Sequence, residues 1–405
     1  MDYKIVKLKE IAVFNKESIG KNSNYEFINY LDTANITNGA IDTIVRMSVE
    51  EAPSRAKRIV HNNDIVYSTV RPNLCHYGIL DSPVENMIVS TGFTVISCKD
   101  DVNPYYVYNY LTQNDITSQL HSIAENSTSA YPSIKPSDLE NIEIKLPKLD
   151  IQNKIAKILT DIDKKIKINN EINNNLFELL KQEFREKFYN KKEKDSYLRD
   201  YISETIGGDW GKSSPGGNNN TMVYCVRGAD IPSMEYGNKG NAPIRYILEK
   251  NYKNKKLDPN NIIIEISGGS PTQSTGRTAF ITKSILDMYD SPLLCTNFCR
   301  AIEAKSDILA PFVYLNLKLM YDDDIFFNWE NGTTGIKNLA LNDLLNNLKV
   351  KTPDEMMLKN FYLLFNNIMN KISNNSNENI KLEQLRDTLL PKLINGEIDL
   401  DNIEI

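Results

Sequence analysis

Two groups of cations are the residues best equipped to do chemistry. Arg46, Arg55, Lys57, Arg58 and Arg71 fall in one stretch rich in turn formers. Arg245, Lys250, Lys253, Lys255 and Lys256 fall in another, with Tyr246 and Tyr252 interleaved and Arg277 and Lys283 following. A guanidinium fork matches the paired acceptors of a guanine edge, whereas an ammonium holds a phosphate without reading sequence. The chemistry on offer is contact with nucleic acid. The bland alternative is a solvated charged loop, balanced by neighbours such as Glu50, Glu51 and Glu249. What favours the binding reading is that both groups occupy comparable places in two halves of a chain that repeats itself.

Signatures of catalysis are weak by comparison. The run Ser267–Thr278 is Gly/Ser-rich like a phosphate loop, but its spacing is wrong and Arg277 stands where the lysine belongs, so a plain loop is expected. Asp138, Glu143 and Lys145 resemble a nuclease carboxylate–lysine set, but the two carboxylates are too close in sequence for the usual hairpin. Cys295 and Cys299 lack a paired Cys-x-x-Cys or a nearby histidine and read as core. His61, His76 and His121 are isolated, so no triad is expected. No tract matches the Asp/Asn-Pro-Pro-aromatic site of amino-methyltransferases. The expectation is a chain with no catalytic residue, no metal ligand and no cofactor of its own.

The bulk numbers set bounds. A chain of 405 residues has room for two to three domains of about 150 residues. Its 41% hydrophobic and 25% charged content is that of an ordinary folded protein. Five scattered cysteines fit a reducing cytoplasm better than a disulfide framework. The charged start MDYKIVKLKE has no apolar core of a secretory signal, and no run of about 18 apolar residues could span a membrane. A cytoplasmic location is expected. The net charge of −6, with no basic tail, requires any nucleic-acid site to be a local basic face on an acidic body.

Elements must hold those cations, and the longest is Leu146–Phe188. Ile151, Ile155, Ile158, Ile162, Asn169, Ile172, Leu176 and Leu179 recur in steps that place them on one face of a helix. From Asp150 to Phe188 that helix would be roughly 60 Å long, more than a single globular domain needs in its middle. Ahead of it, strands are predicted at Phe27–Leu31, Asp64–Val70, Tyr77–Leu80 and Ile88–Cys98. Turns fall at Asn38-Gly39 and Asn62-Asn63, and Pro104 opens an aromatic helix.

The second half replays the first. Leu8–Ile11 has a counterpart in Leu198–Ile202, Ala34–Ile36 in Ala229–Ile231, Asn63–Ser68 in Asn260–Glu265, and Ser90–Thr94 in Cys295–Cys299. Glu125–Ser129 matches Glu330–Thr334, and Asp138-Leu139 matches Asp343-Leu344, at an offset of 205 residues. From Pro147/Pro353 the offset becomes 206 and persists through Ile151/Met357, Ile155/Phe361, Ile162/Ile368 and Leu179/Leu385. A duplication of about 200 residues explains this best. The expected domains are therefore 1–146, a spacer helix at 147–192, a second domain at 193–352, and a second helix with tail at 353–405. Two helices with one apolar seam each should pack together, and antiparallel packing is the economical solution. Both have asparagine-rich middles, Asn169-Asn170 with Asn173–Asn175, and Asn374-Asn375 with Asn377 and Asn379. These either fix register or form a solvated, bent waist.

At this point the chain resembles the specificity subunits of type I restriction-modification systems. Leu146-Pro147, Ile151-Gln152-Asn153-Lys154-Ile155, Leu159 and Asp163-Lys164-Lys165-Ile166 look like the family's entry into its conserved helix. Leu385-Arg386-Asp387-Thr388-Leu389-Leu390-Pro391-Lys392-Leu393-Ile394-Asn395-Gly396-Glu397-Ile398 is similar to its terminus. Ile206–Gly211 and Val226–Ile231 also look typical. The second helix departs from the pattern, with Met356-Met357-Leu358-Lys359 where a glutamine is usual and Thr352-Pro353 for Leu-Pro.

The resemblance implies an α+β fold: two similar mixed target-recognition domains separated by two long helices packed as an antiparallel coiled coil, with a pseudo-two-fold repeat. It implies a non-catalytic subunit that binds a bipartite, asymmetric double-stranded DNA site, with the helices setting the spacer. The implied partners are two methyltransferase subunits, which bring S-adenosylmethionine and methylate adenine at N6; motor-nuclease subunits can join them. A protein–protein scaffold with duplicated binding domains is the alternative, and the acidic balance favours it mildly. An autonomous nuclease or methyltransferase is weaker still, for want of motifs.

Overall fold

A computed structural model of the chain describes residues 2–20, 25–127, 131–270, 272–332 and 336–400. Pro271, the Thr128-Ser129 and Thr333-Thr334 parts of the matched segments, and the tail 401–405 lie outside the described residues. The chain divides into two compact units, Met1–Lys165 with Lys381–Ile405, and Ile166–Ile380. Each contains a mixed α/β body and a share of both long helices.

In the first unit two four-stranded sheets face each other. One has the order Val45–Ser48, Phe27–Leu31, Met87–Ser90, Ala56–Ile59; the other has Ala12–Phe14, Phe93–Cys98, Asp64–Ser68, Tyr77–Leu80. Leu31 and Val89 of one sheet pack with Val66 and Val95 of the other in a shared core. Alternation along each strand requires this, since only every second side chain can point inward. On its other face the second sheet offers Ile65, Tyr67 and Ile96 to the helix Pro104–Leu111 and to Ile151, Ile155 and Leu159 of the first long helix. Asn103 caps the aromatic helix by accepting from the backbone N–H groups of Tyr105 and Tyr106. The predicted strand Ile88–Cys98 is in fact two. Met87–Ser90 belongs to one sheet and Phe93–Cys98 to the other, with the chain crossing at Thr91-Gly92. Such a corner is how one strand run serves two packed sheets.

The second unit repeats the frame. Its sheet Ile202–Gly207, Cys299–Ala304, Ile262–Glu265, Thr278–Phe280 has the same strand order as its counterpart. Asn63 and Asn260 lie just before equivalent strands in the left-handed region, φ 64° and 71°, where asparagine is among the few tolerated side chains. The facing sheet has only Ile244–Leu248, Asn219–Val226 and Leu293–Cys295. Where the first unit has the edge strand Ala56–Ile59, the second has the helix Glu249–Lys255 instead. Cys295 and Cys299 are buried in this unit's core, as their apolar setting implied.

The long helices run Leu149–Phe184 and Glu355–Ile394. Within each unit their segments are antiparallel. Arg386 pairs with Asp163 at 3.0 Å in the first unit. In the second, Asn379 meets Asn169, Asn375 meets Asn173, and the Phe361 ring lies 5.4 Å from that of Phe184. The asparagines are buried and bonded to one another, so they act as register pins rather than as a solvated waist. The buried stripe also departs from the expected one. Ile172 and Leu179 are exposed, while Asn173, Phe177, Leu180 and Phe184 are buried. Ile151, Ile162, Asn173 and Phe184 are all buried, an 11-residue recurrence that a helix of 3.6 residues per turn follows more closely than a strict heptad.

Candidate nucleic-acid interface

In each unit the loops that leave one end of the paired sheets converge. In the first unit these are Asp32–Asn35, Thr69–His76, Thr91-Gly92 and the segment from Tyr131. Backbone bonds tie them: Thr69 N–H to Gly92 O at 2.8 Å, Thr91 N–H to Arg55 O at 2.8 Å, and Ile134 N–H to Thr69 O at 2.9 Å. Asp32 accepts from Thr33 N–H at 2.7 Å and pairs with the Arg55 guanidinium. Arg71 has φ 47°, and its guanidinium sits 5.4 Å from the centre of the Tyr131 ring. Beside it opens a cavity of about 310 Å³, whose lining includes Thr33, Ser68, Leu74 and His76.

In the second unit the loops at this end are 227–230, 266–270 with 272–276, and 296–298, joined by 208–212. Arg277 grips Glu265 with two bonds, Nε to Oε2 at 2.9 Å and Nη2 to Oε1 at 2.6 Å. A Cβ on Gly228 or Gly268 would lie 2.1 or 2.5 Å from Glu265 Oε1, so only glycine lets these backbones close over the carboxylate. Arg227 makes a similar grip on buried Asp230. Arg245 lies 4.1 Å over the Trp210 ring and donates to Trp210 O at 2.9 Å, which clamps the first loop. Burial pushes the Asp209 carboxyl up, but bonds from Asn251 and the Gly211 and Trp210 N–H groups, with Lys255 close by, hold it below the usual range. Phe298 is 57% exposed where the first unit has Gly92.

The predicted cations do not form one patch. Arg55 and Arg71 reach the converging loops of the first unit. Arg46 stacks over Phe27 at 3.9 Å on one edge strand, and Lys57 and half-buried Arg58 lie on the opposite edge strand. In the second unit Arg277 and Arg245 sit at the loop end but are spent on Glu265 and on Trp210. Lys255 donates to Gly208 O at 2.8 Å, Lys253 pairs with Glu249 at 2.8 Å and Lys256 with Asp258 at 2.8 Å; Lys250 is exposed. Lys283 opens the helix Lys283–Asp287, at the far end of strand Thr278–Phe280 from Arg277. Sequence reasoning passed over Tyr131, Arg227 and Phe298. The only signal for Phe298 is its offset in the repeat, which was read one residue out of register: Cys299, not Phe298, matches Phe93, since each pairs with the last residue of its neighbouring strand.

Residues 1–178 match the type I restriction modification DNA specificity domain. The chain is 22% identical to the type I restriction enzyme HindI specificity subunit of Haemophilus influenzae, over 92% of this chain and 95% of that one. It is 25% identical to the MjaIX specificity subunit of Methanocaldococcus jannaschii, over 88% and 83%. Over most of its length the chain is therefore similar to type I restriction enzyme specificity subunits. A crystal structure of a type I restriction-modification S subunit from M. genitalium, 13% identical over 97% of this chain and 96% of that one, has the same fold at a TM-score of 0.53. Among the described residues no helix is long and apolar enough to cross a membrane.

Proposed function

We propose that each unit docks its loop end on one half of a bipartite, asymmetric duplex DNA site. The two long helices set the number of unread base pairs and offer docking faces to two methyltransferase subunits. Those partners bring S-adenosylmethionine and methylate adenine at N6, and motor-nuclease subunits can join the assembly. The observation that supports this best is a repeated frame, one sheet of which keeps its strand order in both units, whose loop ends differ: Gly92 and an Arg71 with no carboxylate partner among the described residues in one unit, against Phe298 and a carboxylate-bound Arg277 in the other. Two copies of one scaffold with different tips suit two different half-sites about one helical turn apart, ~34 Å.

Methylome sequencing of cells with and without the chain tests the reading: one split, asymmetric adenine motif should vanish with the chain. Removing a matched heptad from both helices shortens each by about 10 Å, which should shorten the unread spacer by about three base pairs. An unchanged spacer sinks the ruler. The net charge of −6 and the pairing of so many lysines with carboxylates favour the protein-scaffold alternative. Competition by salt and duplex DNA, with the methyltransferase subunits present, separates the two, since only a phosphate-binding complex loses affinity steeply with salt.

A further inference from the structure

We infer that Arg71 reads a guanine edge in the half-site of the first unit, an inference that rests on the DNA-recognition reading above. Four observations converge on this side chain. It is exposed, and among the described residues no carboxylate pairs with it, whereas Arg55 is tied to Asp32 and Arg277 to Glu265. Its guanidinium lies over the Tyr131 ring at 5.4 Å, which restricts the plane of the fork. Its backbone is held at φ 47°, a region few side chains adopt, by the bonds from Arg71 N–H to Pro132 O and from Leu74 N–H to Arg71 O, both 2.9 Å. Strained backbone that the surroundings over-determine is characteristic of a functional position. Finally, the cavity of about 310 Å³ beside it mixes apolar Leu74 with the hydrogen-bonding side chains of Thr33, Ser68 and His76.

A phosphate contact needs none of this. A phosphate on the surface of a duplex takes any mobile cation, and a lysine serves as well as an arginine. An oriented fork beside a recess with polar and apolar walls suits the flat edge of a base. The match for two parallel N–H donors is the O6/N7 pair of guanine. In the second unit Arg277 differs, because Glu265 holds its Nε and one Nη2 hydrogen and leaves only the Nη1/Nη2 end of the fork open.

The test uses the full chain assembled with its methyltransferase subunits, and competition among duplexes that carry single base-pair changes in the methylated motif. The wild-type complex should prefer one G·C pair by about 10- to 100-fold. R71A and R71K should both lose that preference and keep every other position of the motif. Substituting 7-deazaguanine at that pair removes the N7 acceptor, so it should weaken the wild-type complex and leave R71A unmoved. If R71K keeps the preference, or if R71A weakens all duplexes equally, Arg71 is a phosphate contact and the inference fails. An R71A complex with the unaltered motif overturns it as well. A wild-type complex that selects no duplex overturns the DNA-recognition reading itself, and this inference with it.

Discussion

Replacing Arg277 with alanine isolates what the Glu265 grip is worth. The Glu265 side chain is 3% exposed and that of Arg277 25%, and the two bonds between them are 2.9 and 2.6 Å. Truncating the arginine leaves a buried carboxylate beneath Gly228 and Gly268 with its counter-charge gone. That should cost about 3–5 kcal/mol. Truncating the charge on the other side is cheaper: in E265Q the guanidinium still reaches water, and a cost of about 1–2 kcal/mol is expected. The double variant R277A/E265Q should be more stable than R277A alone, because the stranded charge has been removed. Both tryptophans of the chain, Trp210 and Trp329, lie in the second unit, so intrinsic fluorescence reports on that unit directly. For a unit of this size, a loss of 3–5 kcal/mol lowers the melting midpoint by roughly 6–20 °C. If R277A melts within a degree or two of wild type, or if the double variant is no better than R277A, then Arg277 is not the partner that makes burial of Glu265 tolerable. It would return to the set of free cations.

Asn173→Leu should destabilise the second unit by about 1–3 kcal/mol, because it strips the Asn375 amide of the acceptor it reaches at 2.8 Å. Adding Asn375→Leu should recover most of that loss, and a double variant as unstable as the single in urea melts would show that the two do not act as a pair. The Asp323 carboxyl is held below the usual carboxylate range, first by the Arg185 fork at 2.7 and 3.1 Å. A depressed carboxyl stabilises the fold above its unfolded value of about 4 and loses that contribution as pH falls through the lower folded value. Both side chains are about a third exposed, so D323N should cost only about 0.5–1 kcal/mol at neutral pH. Its stability should then fall less between neutral pH and about pH 3 than that of wild type, and an identical acid limb would refute the assignment.

The duplication was legible because it leaves a pattern at every level, from paired Asn turns to a constant offset through both helices. The exact face of the first long helix was not. Beyond Asn169 the sequence offers two apolar stripes one residue apart, Ile172, Leu176 and Leu179 against Phe177, Leu180 and Phe184. The aromatic side chains win because they bury more surface, and Phe184 packs on Phe188, Phe312 and Phe361. The break at Thr91-Gly92 is hidden for a different reason: Ser90 and Thr94 beside it are buried like core residues, and the β-branched runs Ile88-Val89 and Thr94-Val95-Ile96 on either side read as one strand. The fate of each cation was the least legible of all. Glu265 and Arg277 are 12 residues apart and meet only because their strands pair antiparallel, and strand register is set by the whole sheet rather than by neighbours in sequence.

A positive charge counted in a sequence is fully available to a partner only where the fold has not paired it with a carboxylate. Counted that way, the two cation clusters lose their apparent symmetry: the lysines and arginine of the second unit are mostly engaged, while the first unit keeps Arg71 open beside a cavity. The second unit offers an exposed phenylalanine and a clamped tryptophan at the same end of the same sheet. Apolar and aromatic tips favour contacts such as a thymine methyl, whereas an open fork favours guanine. A duplicated scaffold can thus present different tips on a shared frame, because loops are held by the sheets but not constrained by them.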